Sequence, residues 1–470
     1  MSKKIILLFS VFSILTFPAQ TKKLYGMTFR GGISDKGTLF EYDYNTNENI
    51  KKIDFNGAGN GTNPAGSLIQ ASNGKLYGLT EYGGAYNNGV LFEYDLDTGT
   101  LTKKYEFQNT SNGKVPTGHL IQATNGKLYG LAQYGGVNNN GALFEYDPIT
   151  SIYIKKVDFN STNGNRPMGS LLQASNGKVY GTTGFGGNTD SGVLFEFDIN
   201  TGVLTKKVNF LNYDHGSQPT GDLLQAADGN LYGATNDKGY NGWGTIYKYN
   251  IATNTITQIK SFEYSHGTKS TGTLMQATNG SLYGMTMYGG AHNNGVLYEL
   301  NPGTNLYSKK VDFNEDTIGG MPFGSLMQAS NNKVYGMTYW GGSTSDGVIF
   351  EYDLSNEVLT KKYDFNNINN GRNPYRSYLI EVNVNTNLSV KENASPTISI
   401  YPNPVGNIIN IKDLNKDVLS NTIELNDSSG KLVLQKVIRN SNEKIDVSHL
   451  NSGIYFMSIG KKFFKKIIKK

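Results

Sequence analysis

Short runs of apolar and aromatic residues recur in groups of four along most of the chain, separated by turn residues. In the copy that begins at Gly66 the runs are "SLIQA", "KLYGLT", "VLFEYD" and "LTKKYEF". The third run alternates, so that Val90, Phe92 and Tyr94 share one face. Each group therefore predicts a four-stranded sheet that presents large side chains to its neighbours.

The connections between these runs are of two kinds. Ser-Asn-Gly joins the first two strands, and Asn-Gly is the pair that a two-residue type I′ hairpin needs. Strands three and four are joined by the tight connection Asp95 to Gly99. Longer connections such as "YGGAYNNG" and "QNTSNGKVPTG" follow strands two and four. We expect these longer connections to share one side of the domain, called the loop face below.

The group repeats seven times with almost no insertions. The tyrosine of its "[LV]YG" motif recurs in steps of 52, 52, 51, 52, 51 and 52 residues. Four antiparallel strands repeated at about 50 residues are typical of a propeller blade. The seven tyrosines are Tyr25, Tyr77, Tyr129, Tyr180, Tyr232, Tyr283 and Tyr335.

The two ends of the array complement each other. The first copy starts at "KKLYGMT" and lacks strand one, whereas the last copy stops after strand one in "RSYLIEV", Arg376 to Val382. Joining them would complete a seventh blade and remove the open edges. The sequence therefore predicts an all-β, seven-bladed β-propeller over residues 20–382, closed by its C-terminal strand.

Composition narrows the possible functions. The chain has 470 residues, no cysteine and a formal net charge of +5. Residues 398–470 carry +6 and two N-terminal lysines carry +2, which leaves −3 for residues 21–397. A nucleic-acid partner is not expected, because the repeat region lacks the necessary basic excess. Without cysteine, disulfides, thiolate nucleophiles and Cys-bearing metal sites are excluded.

The N-terminus predicts an export signal. Lys3 and Lys4 precede an apolar run from Ile5 to Phe17, which is short for a membrane span. We expect residues 1–19 to be a signal peptide, and the mature chain to have no transmembrane segment.

Two features carry a resemblance to known families. The double glycine after strand two, followed by an aromatic-rich third strand ending in Asp, resembles the kelch repeat. It is still more similar to the GloVer repeat of exported bacterial proteins. This resemblance implies a secreted propeller but brings no catalytic residues to this chain. One copy departs from it, because Lys238 replaces the first glycine and could change the path of that loop.

The C-terminus resembles another module. A polar linker over residues 383–397 is followed by residues 398–470, which resemble the C-terminal sorting domain of the type IX secretion system of Bacteroidetes. The resemblance implies a small β-sandwich-like domain, the type IX machinery as partner, and a location outside the cell or on the outer-membrane surface. The matching motif residues are Tyr401, Pro402, Asn403, Pro404, Gly430, Gly453 and Tyr455.

Three recurring polar groups have structural interpretations that we favour over functional ones. The lysine pair of strand four, as in Lys103-Lys104, would protect an outer edge rather than bind polyanions. The glutamine of strand one, as in Gln122, would bond to neighbouring backbone rather than to a channel ligand. His215 and His266 occupy equivalent loops, but no ligand motif accompanies them. We therefore predict no metal site, no cofactor and no catalytic residue.

The loop face is the best candidate for binding, since aromatic side chains there suit a glycan or peptide. For most of these aromatics, packing between blades is the favoured interpretation, but Tyr240, Trp243 and His292 break the repeat and favour binding. The candidate ligand-binding residues are Tyr82, Tyr86, Tyr134, Phe185, Tyr240, Trp243, Tyr288, His292 and Trp340.

Taken together, these features predict an exported, non-catalytic binding module for a glycan or a surface protein. A polysaccharide-acting hydrolase or lyase is the first alternative. A structural surface component is the second.

Overall fold

The computed structural model describes residues 20–108, 110–385, 399–412, 422–428, 430–459 and 463–470. The predicted signal peptide and most of the predicted linker lie outside these residues. The chain separates into two compact units, Thr21–Val384 and one that contains Asn385–Lys470. In the described part, no helix is both long and apolar enough to cross a membrane.

The described residues of the first unit form seven small antiparallel sheets, numbered here along the chain. Three short helical segments, Thr110–Asn112, Tyr264–His266 and Asn367–Asn370, lie in the connections. The strands are, for sheet 1 in spatial order, Ile380–Asn385, Gln20–Thr28, Thr38–Asp43 and Glu48–Asp54; for sheet 2, Thr62–Pro64, Ile69–Gln70, Leu76–Tyr82, Val90–Asp95 and Thr100–Glu106; for sheet 3, Lys114–Gln122, Leu128–Tyr134, Ala142–Asp147 and Ile152–Asp158; for sheet 4, Leu172–Gln173, Val179–Thr183, Val193–Phe197 and Leu204–Asn209; for sheet 5, Leu224–Gln225, Leu231–Thr235, Thr245–Asn250 and Thr255–Ser261; for sheet 6, Met275–Gln276, Leu282–Met285, Val296–Leu300 and Tyr307–Asp312; and for sheet 7, Met327–Gln328, Val334–Thr338, Val348–Asp353 and Val358–Asp364.

The glycine of the "YG" motif is required by close packing. Gly78 lies opposite Phe92 in sheet 2, and a Cβ added to Gly78 would stand 2.4 Å from the Phe92 ring and 3.0 Å from Leu68. Any larger residue would push the aromatic ring out of its place in the core. The other six copies pair a glycine with an aromatic ring in the same way, at Gly26, Gly130, Gly181, Gly233, Gly284 and Gly336.

The tyrosine of the same motif fixes a buried polar contact. Tyr77 donates a hydrogen bond to Glu93 at 2.5 Å, and Lys75 and Lys104 lie 3.3 and 3.6 Å from that carboxylate. The second lysine of each strand-four pair contacts the equivalent glutamate in its own sheet, as Lys156 contacts Glu145 at 3.4 Å. These lysines are therefore paired with acids, which supports their structural interpretation.

The first hairpin differs from the predicted type I′ turn. Gly74 has a φ of +81°, but Asn73 does not have a positive φ. Ala71 O accepts a bond from Gly74 N at 2.8 Å, and Ala71 N donates to Lys75 O at 2.9 Å. The loop therefore has three residues, Ser72 to Gly74, with only its last residue in the left-handed region.

Apolar clusters fill the space between successive sheets. One cluster contains Phe92 of sheet 2 and Tyr25 of sheet 1. Another contains Phe40 of sheet 1 and Ile349 of sheet 7. The rings of Phe40 and Phe365 contact each other edge-on at 5.3 Å. Sheet 1 thus packs against both the next sheet and the last one.

The recurring glutamines also join neighbouring sheets. Gln122 accepts a bond from Ser72 N at 2.7 Å and donates to Gly126 O at 2.8 Å. The prediction that these glutamines bond to neighbouring backbone is confirmed. In the strand Ile380–Asn385, Glu381 takes this place and accepts a bond from Ser330 N at 3.0 Å.

The C-terminal unit contains two sheets that share one core. Its core residues include Ile409, Leu425 and Met457, all fully buried. The strands of the first sheet are Ser399–Tyr401, Ile408–Lys412 and Glu443–Asp446, and those of the second are Leu432–Val437, Thr422–Asp427, Gly453–Ile459 and Phe463–Lys469.

Candidate binding site

A cavity of about 500 Å³ opens where strand ends and connections of sheets 1, 2, 3, 4 and 7 meet. We call it the loop-face cavity. Its volume lies in the range of about 300–1,000 Å³ that small-ligand sites occupy. Its lining residues are Phe29, Arg30, Asn63, Glu81, Tyr82, Gln133, Met168, Tyr339, Tyr375 and Arg376.

One side of the cavity is an aromatic wall. Tyr375 contacts Phe29 at a ring-centroid distance of 5.2 Å and Phe323 at 4.9 Å. Tyr339 lies 5.2 Å from Phe323 and 6.2 Å from Tyr375. Phe29, Tyr339 and Tyr375 are only partly buried. Such partly exposed rings offer flat apolar faces with polar edges, the combination that stacks against sugars and peptides.

Arg376 reaches into the cavity because its segment is one residue longer than in the other copies. In six copies a residue with positive φ lies five positions before the leucine of strand one, as Asn63 does before Leu68. In the closing segment Asn373 lies six positions before Leu379. The extra residue, Arg376, has a left-handed φ of +51°.

The contacts of Arg376 leave most of its donors unused. Its Nη1 lies 3.5 Å from Met168 O, and its guanidinium lies 5.4 Å from the centre of the Tyr375 ring. Its buried Nε has no hydrogen-bond partner within the part of the chain that the structure describes. In the described part of the chain, no acid lies within 4 Å of this guanidinium to form an ion pair. Apart from the long contact of Nη1 with Met168 O, the guanidinium donors therefore have no acceptor among the described residues.

Glu81 is the only acidic residue among the residues that line the cavity. Burial raises the pKa of Glu81 from 4.5 to about 7, although the positive charge of Arg376 opposes that rise. This carboxyl therefore exchanges its proton near neutral pH, unlike an ordinary surface glutamate.

A polar group lies next to the cavity, beside a pocket of about 10 Å³ that also includes Met168 and Arg376. His119 Nδ1 lies 3.2 Å from Asp222 Oδ2, and Thr273 Oγ1 donates to the same oxygen at 2.8 Å. Burial opposes ionisation of Asp222, but the charge and hydrogen bond of His119, with bonds from Ser170 and Thr273, lower its pKa to about 2. The group joins sheets 3, 4, 5 and 6 and is a structural tie.

Of the nine loop-face residues predicted from sequence, Tyr82 lies in the cavity lining, with 39% of its surface exposed. Trp340 lies next to the lining, with its ring 4.9 Å from that of Tyr339. Arg166 lies between the rings of Tyr134 and Phe185, at 5.3 and 5.5 Å.

The remaining predicted residues lie outside the cavity lining. Tyr288 contacts Lys269 at 5.8 Å, and Trp243 packs edge-on against Tyr264 at 5.9 Å. The others are exposed side chains, namely Tyr86, Tyr240 and His292.

The deviant loop keeps one turn bond of the repeat, and the Nδ1 of His215 is buried without a hydrogen-bond partner among the described residues. Lys238 adopts a φ of +61° in place of the glycine, and its carbonyl accepts a bond from Gly244 N at 2.8 Å, as Gly83 does from Gly89 N at 3.2 Å. This bond is kept, but the loop also forms a parallel bridge between Lys238 and Trp243, so its path differs in part from that of the other copies. Among the described residues, no group of three His, Asp or Glu side chains is placed to hold a metal ion.

The predicted sorting residues lie in the C-terminal unit. Asn403 accepts a bond from Ile468 N at 2.9 Å, and Tyr455 donates to Asn451 O at 2.9 Å. Gly430 has a φ of +85° in a turn, Gly453 begins a strand, and Tyr401 lies 5.4 Å below Lys412. Pro402 and Pro404 each follow a cis peptide bond.

Comparison with known families decides where the chain belongs. The Gloeobacter/Verrucomicrobia repeat matches residues 13–154, 123–269 and 220–388. The chain belongs to this repeat family. Residues 399–470 match the secretion system C-terminal sorting domain. The sorting domain directs this repeat protein through the type IX machinery to the cell surface or the exterior.

Solved structures are similar in fold alone. The periplasmic gluconolactonase PpgL of Pseudomonas aeruginosa has a TM-score of 0.54 and 14% identity, with 77% of this chain and 99% of that chain covered. A Bacteroides fragilis protein provisionally assigned as a 6-phosphogluconolactonase has a TM-score of 0.53 and 17% identity, with 77% and 98% covered. Both are propeller-like.

A third structure, TolB from Acinetobacter baumannii, has a TM-score of 0.39 and 14% identity. The alignment covers 61% of this chain and 62% of TolB. This chain therefore spans less than two thirds of the length of TolB. Among functionally curated proteins, none matches this chain in sequence.

The site residues that sequence reasoning missed include Phe29, Glu81, Tyr339, Tyr375 and Arg376. A signal for Arg376 existed, because its segment is one residue longer than the six equivalents. Glu81 gave no comparable signal, since the residue at its position differs in every copy.

Proposed function

We propose that this protein is an exported or cell-surface binding module whose loop-face cavity holds the end of a glycan. The observation that carries the proposal is the aromatic wall of Phe29, Tyr339 and Tyr375 beside polar groups in one cavity. A sugar ring could lie on the aromatic faces while its hydroxyl groups bond to Asn63 and Gln133.

The proposed scaffold is a closed, kelch-like, seven-bladed propeller. The seven sheets are its blades, and the strand Ile380–Asn385 closes the ring beside Gln20–Thr28. The cluster between sheets 7 and 1 and the bond from Ser330 to Glu381 support this closure. The proposed domains are a signal peptide at 1–19, the propeller at 20–382, a linker at 383–397 and a sandwich-like sorting domain at 398–470.

The lining favours binding over glycoside hydrolysis. Hydrolysis generally uses two carboxyl groups about 5 to 9.5 Å apart. Glu81 is the only acidic residue that lines the cavity in the described part of the chain. A single carboxyl group cannot serve as both acid and base or nucleophile in that mechanism.

A glycan array probed with the purified mature protein tests this function. We expect binding that Tyr375→Ala abolishes and Tyr240→Ala leaves intact, because Tyr240 is exposed outside the cavity lining. Loss through Tyr240→Ala alone would place the ligand on the outer rim instead. Release of shortened sugar products would identify an enzyme, and no binding to any glycan would contradict the proposal.

A further inference from the structure

The inserted residue Arg376 adds a positive charge to the one that Arg30 of the first copy brings to the cavity. Among the described residues, Arg30 and Arg376 both line the cavity, and Glu81 is the only acidic residue beside them there. Nearby Arg372 contributes little, because it forms a two-bond ion pair with Asp35 at 2.8 and 3.0 Å. The free positive charge in the cavity therefore belongs mainly to Arg376 and Arg30.

The environment of Arg376 suits an oxyanion. A guanidinium offers a planar pair of N–H donors that matches a carboxylate. The Nε of Arg376 is buried without a partner among the described residues, and such an unsatisfied donor costs free energy. Its guanidinium also lies over the Tyr375 ring, so the acceptor and the aromatic wall would contact one ligand.

We propose that the loop-face cavity binds an acidic saccharide, whose carboxylate bonds to Arg376 while its sugar ring lies against Tyr375 and Tyr339. This inference rests on the proposed glycan-binding function and names the class of sugar. A neutral sugar offers Arg376 only hydroxyl acceptors, whereas the carboxylate of a uronate also compensates its charge and can accept two parallel N–H bonds.

Glu81 adds a dependence on pH. Burial raises its pKa to about 7 against the opposing charge of Arg376, so the carboxyl is protonated in mildly acidic solution. The other charged or titratable groups lining the cavity are Arg30, Tyr82, Tyr339 and Tyr375. A protonated Glu81 can donate to the bound carboxylate, whereas the ionised form repels it. Affinity for an acidic sugar should therefore fall as pH rises through 7.

The test uses isothermal titration calorimetry on the full mature chain. The probes are digalacturonate, its neutral carboxyl-reduced form, and galactose 6-phosphate. We expect digalacturonate to bind most tightly, and Arg376→Gln to weaken it at least tenfold, as expected for loss of a charged hydrogen bond. Arg372→Gln is the matched control and should leave affinity unchanged. Between pH 6 and 8 the wild type should lose affinity for digalacturonate, and Glu81→Gln should not.

The outcomes separate this inference from the proposed function. Equal binding of the acidic and neutral disaccharides, unchanged by Arg376→Gln, would overturn the acidic-sugar inference and leave glycan binding intact. Tighter binding of the phosphate would also overturn it, by assigning the site to a phosphorylated sugar. Binding of no saccharide here or on the array would overturn both. A urea melt of Arg376→Gln that matches the wild type shows that lost affinity is not lost folding.

Discussion

Glu81 is a residue at which the structure predicts a clear effect of pH on folding. Its pKa rises from 4.5 to about 7 because burial disfavours the ionised form. Between these two values the unfolded chain has released the proton that the folded protein still holds. Stability must therefore fall as pH rises from about 4.5 to 7, and it stays reduced above 7.

The size of this effect follows from the shift. One pKa unit corresponds to about 1.36 kcal/mol, so the full shift corresponds to about 3 kcal/mol. Because the cavity is open to water, part of the desolvation is relieved, and we expect about 2 kcal/mol between pH 5 and pH 8. Glu81→Gln keeps the shape of the side chain and removes its ionisation. The variant should match the wild type at pH 5 within about 1 kcal/mol, and should exceed it at pH 8 by about 2 to 3 kcal/mol.

Urea denaturation at the two pH values, followed by tryptophan fluorescence, measures the difference. Glu48→Gln, at an exposed position in sheet 1, is the control for removing a carboxyl group from the protein. Its stability relative to the wild type should stay nearly constant with pH. If Glu81→Gln and the wild type change equally between pH 5 and 8, Glu81 is hydrated and the reasoning about the cavity is wrong.

Three further predictions concern the scaffold and export. Asp222→Ala should lower stability by about 3 kcal/mol in urea denaturation, because it leaves the partners of a buried pair unsatisfied. Since the pKa of Asp222 is lowered to about 2, the stability that the ionised carboxylate contributes should be lost as pH falls from about 4 to 2. Deleting Tyr375–Val382 should give an aggregating domain, and a cooperative melt like that of the full chain would disprove closure by this segment. Removing residues 399–470 should keep the protein on the inner side of the outer membrane, as measured by cell fractionation. Normal release would show that the sorting domain is dispensable.

Much of the scaffold could be predicted because its causes are local. The spacing of the "YG" motif predicts each sheet, since a glycine opposite an aromatic ring is needed wherever the motif occurs, as at Gly78 and Phe92. The hairpin type was the exception. The residues Asn73-Gly74 fit a two-residue turn, but the extra pairing of Ala71 with Lys75 includes Ser72 in the loop and makes it a three-residue turn.

The candidate site could be predicted only in part. The sequence predicts aromatic side chains on the loop face in copies two to seven, yet most of them contact a neighbouring cation or lie outside the cavity, as Tyr134 contacts Arg166. Tyr82 lines the cavity, but the aromatic wall comes from Phe29, Tyr339 and Tyr375. The packing of separate sheets decides which of two adjacent residues in a strand or connection lines the cavity. The sequence of a single repeat does not contain that information.

The sequence by itself determined the strands, the number of copies and the sorting domain, because these depend on alternation, spacing and short motifs within one segment. Only the tertiary structure decided that Glu81 and Arg376, from opposite ends of the repeat array, line one cavity. The reason is physical. Burial and the field of a neighbouring charge set the proton affinity of Glu81, and both arise from residues that only folding brings together.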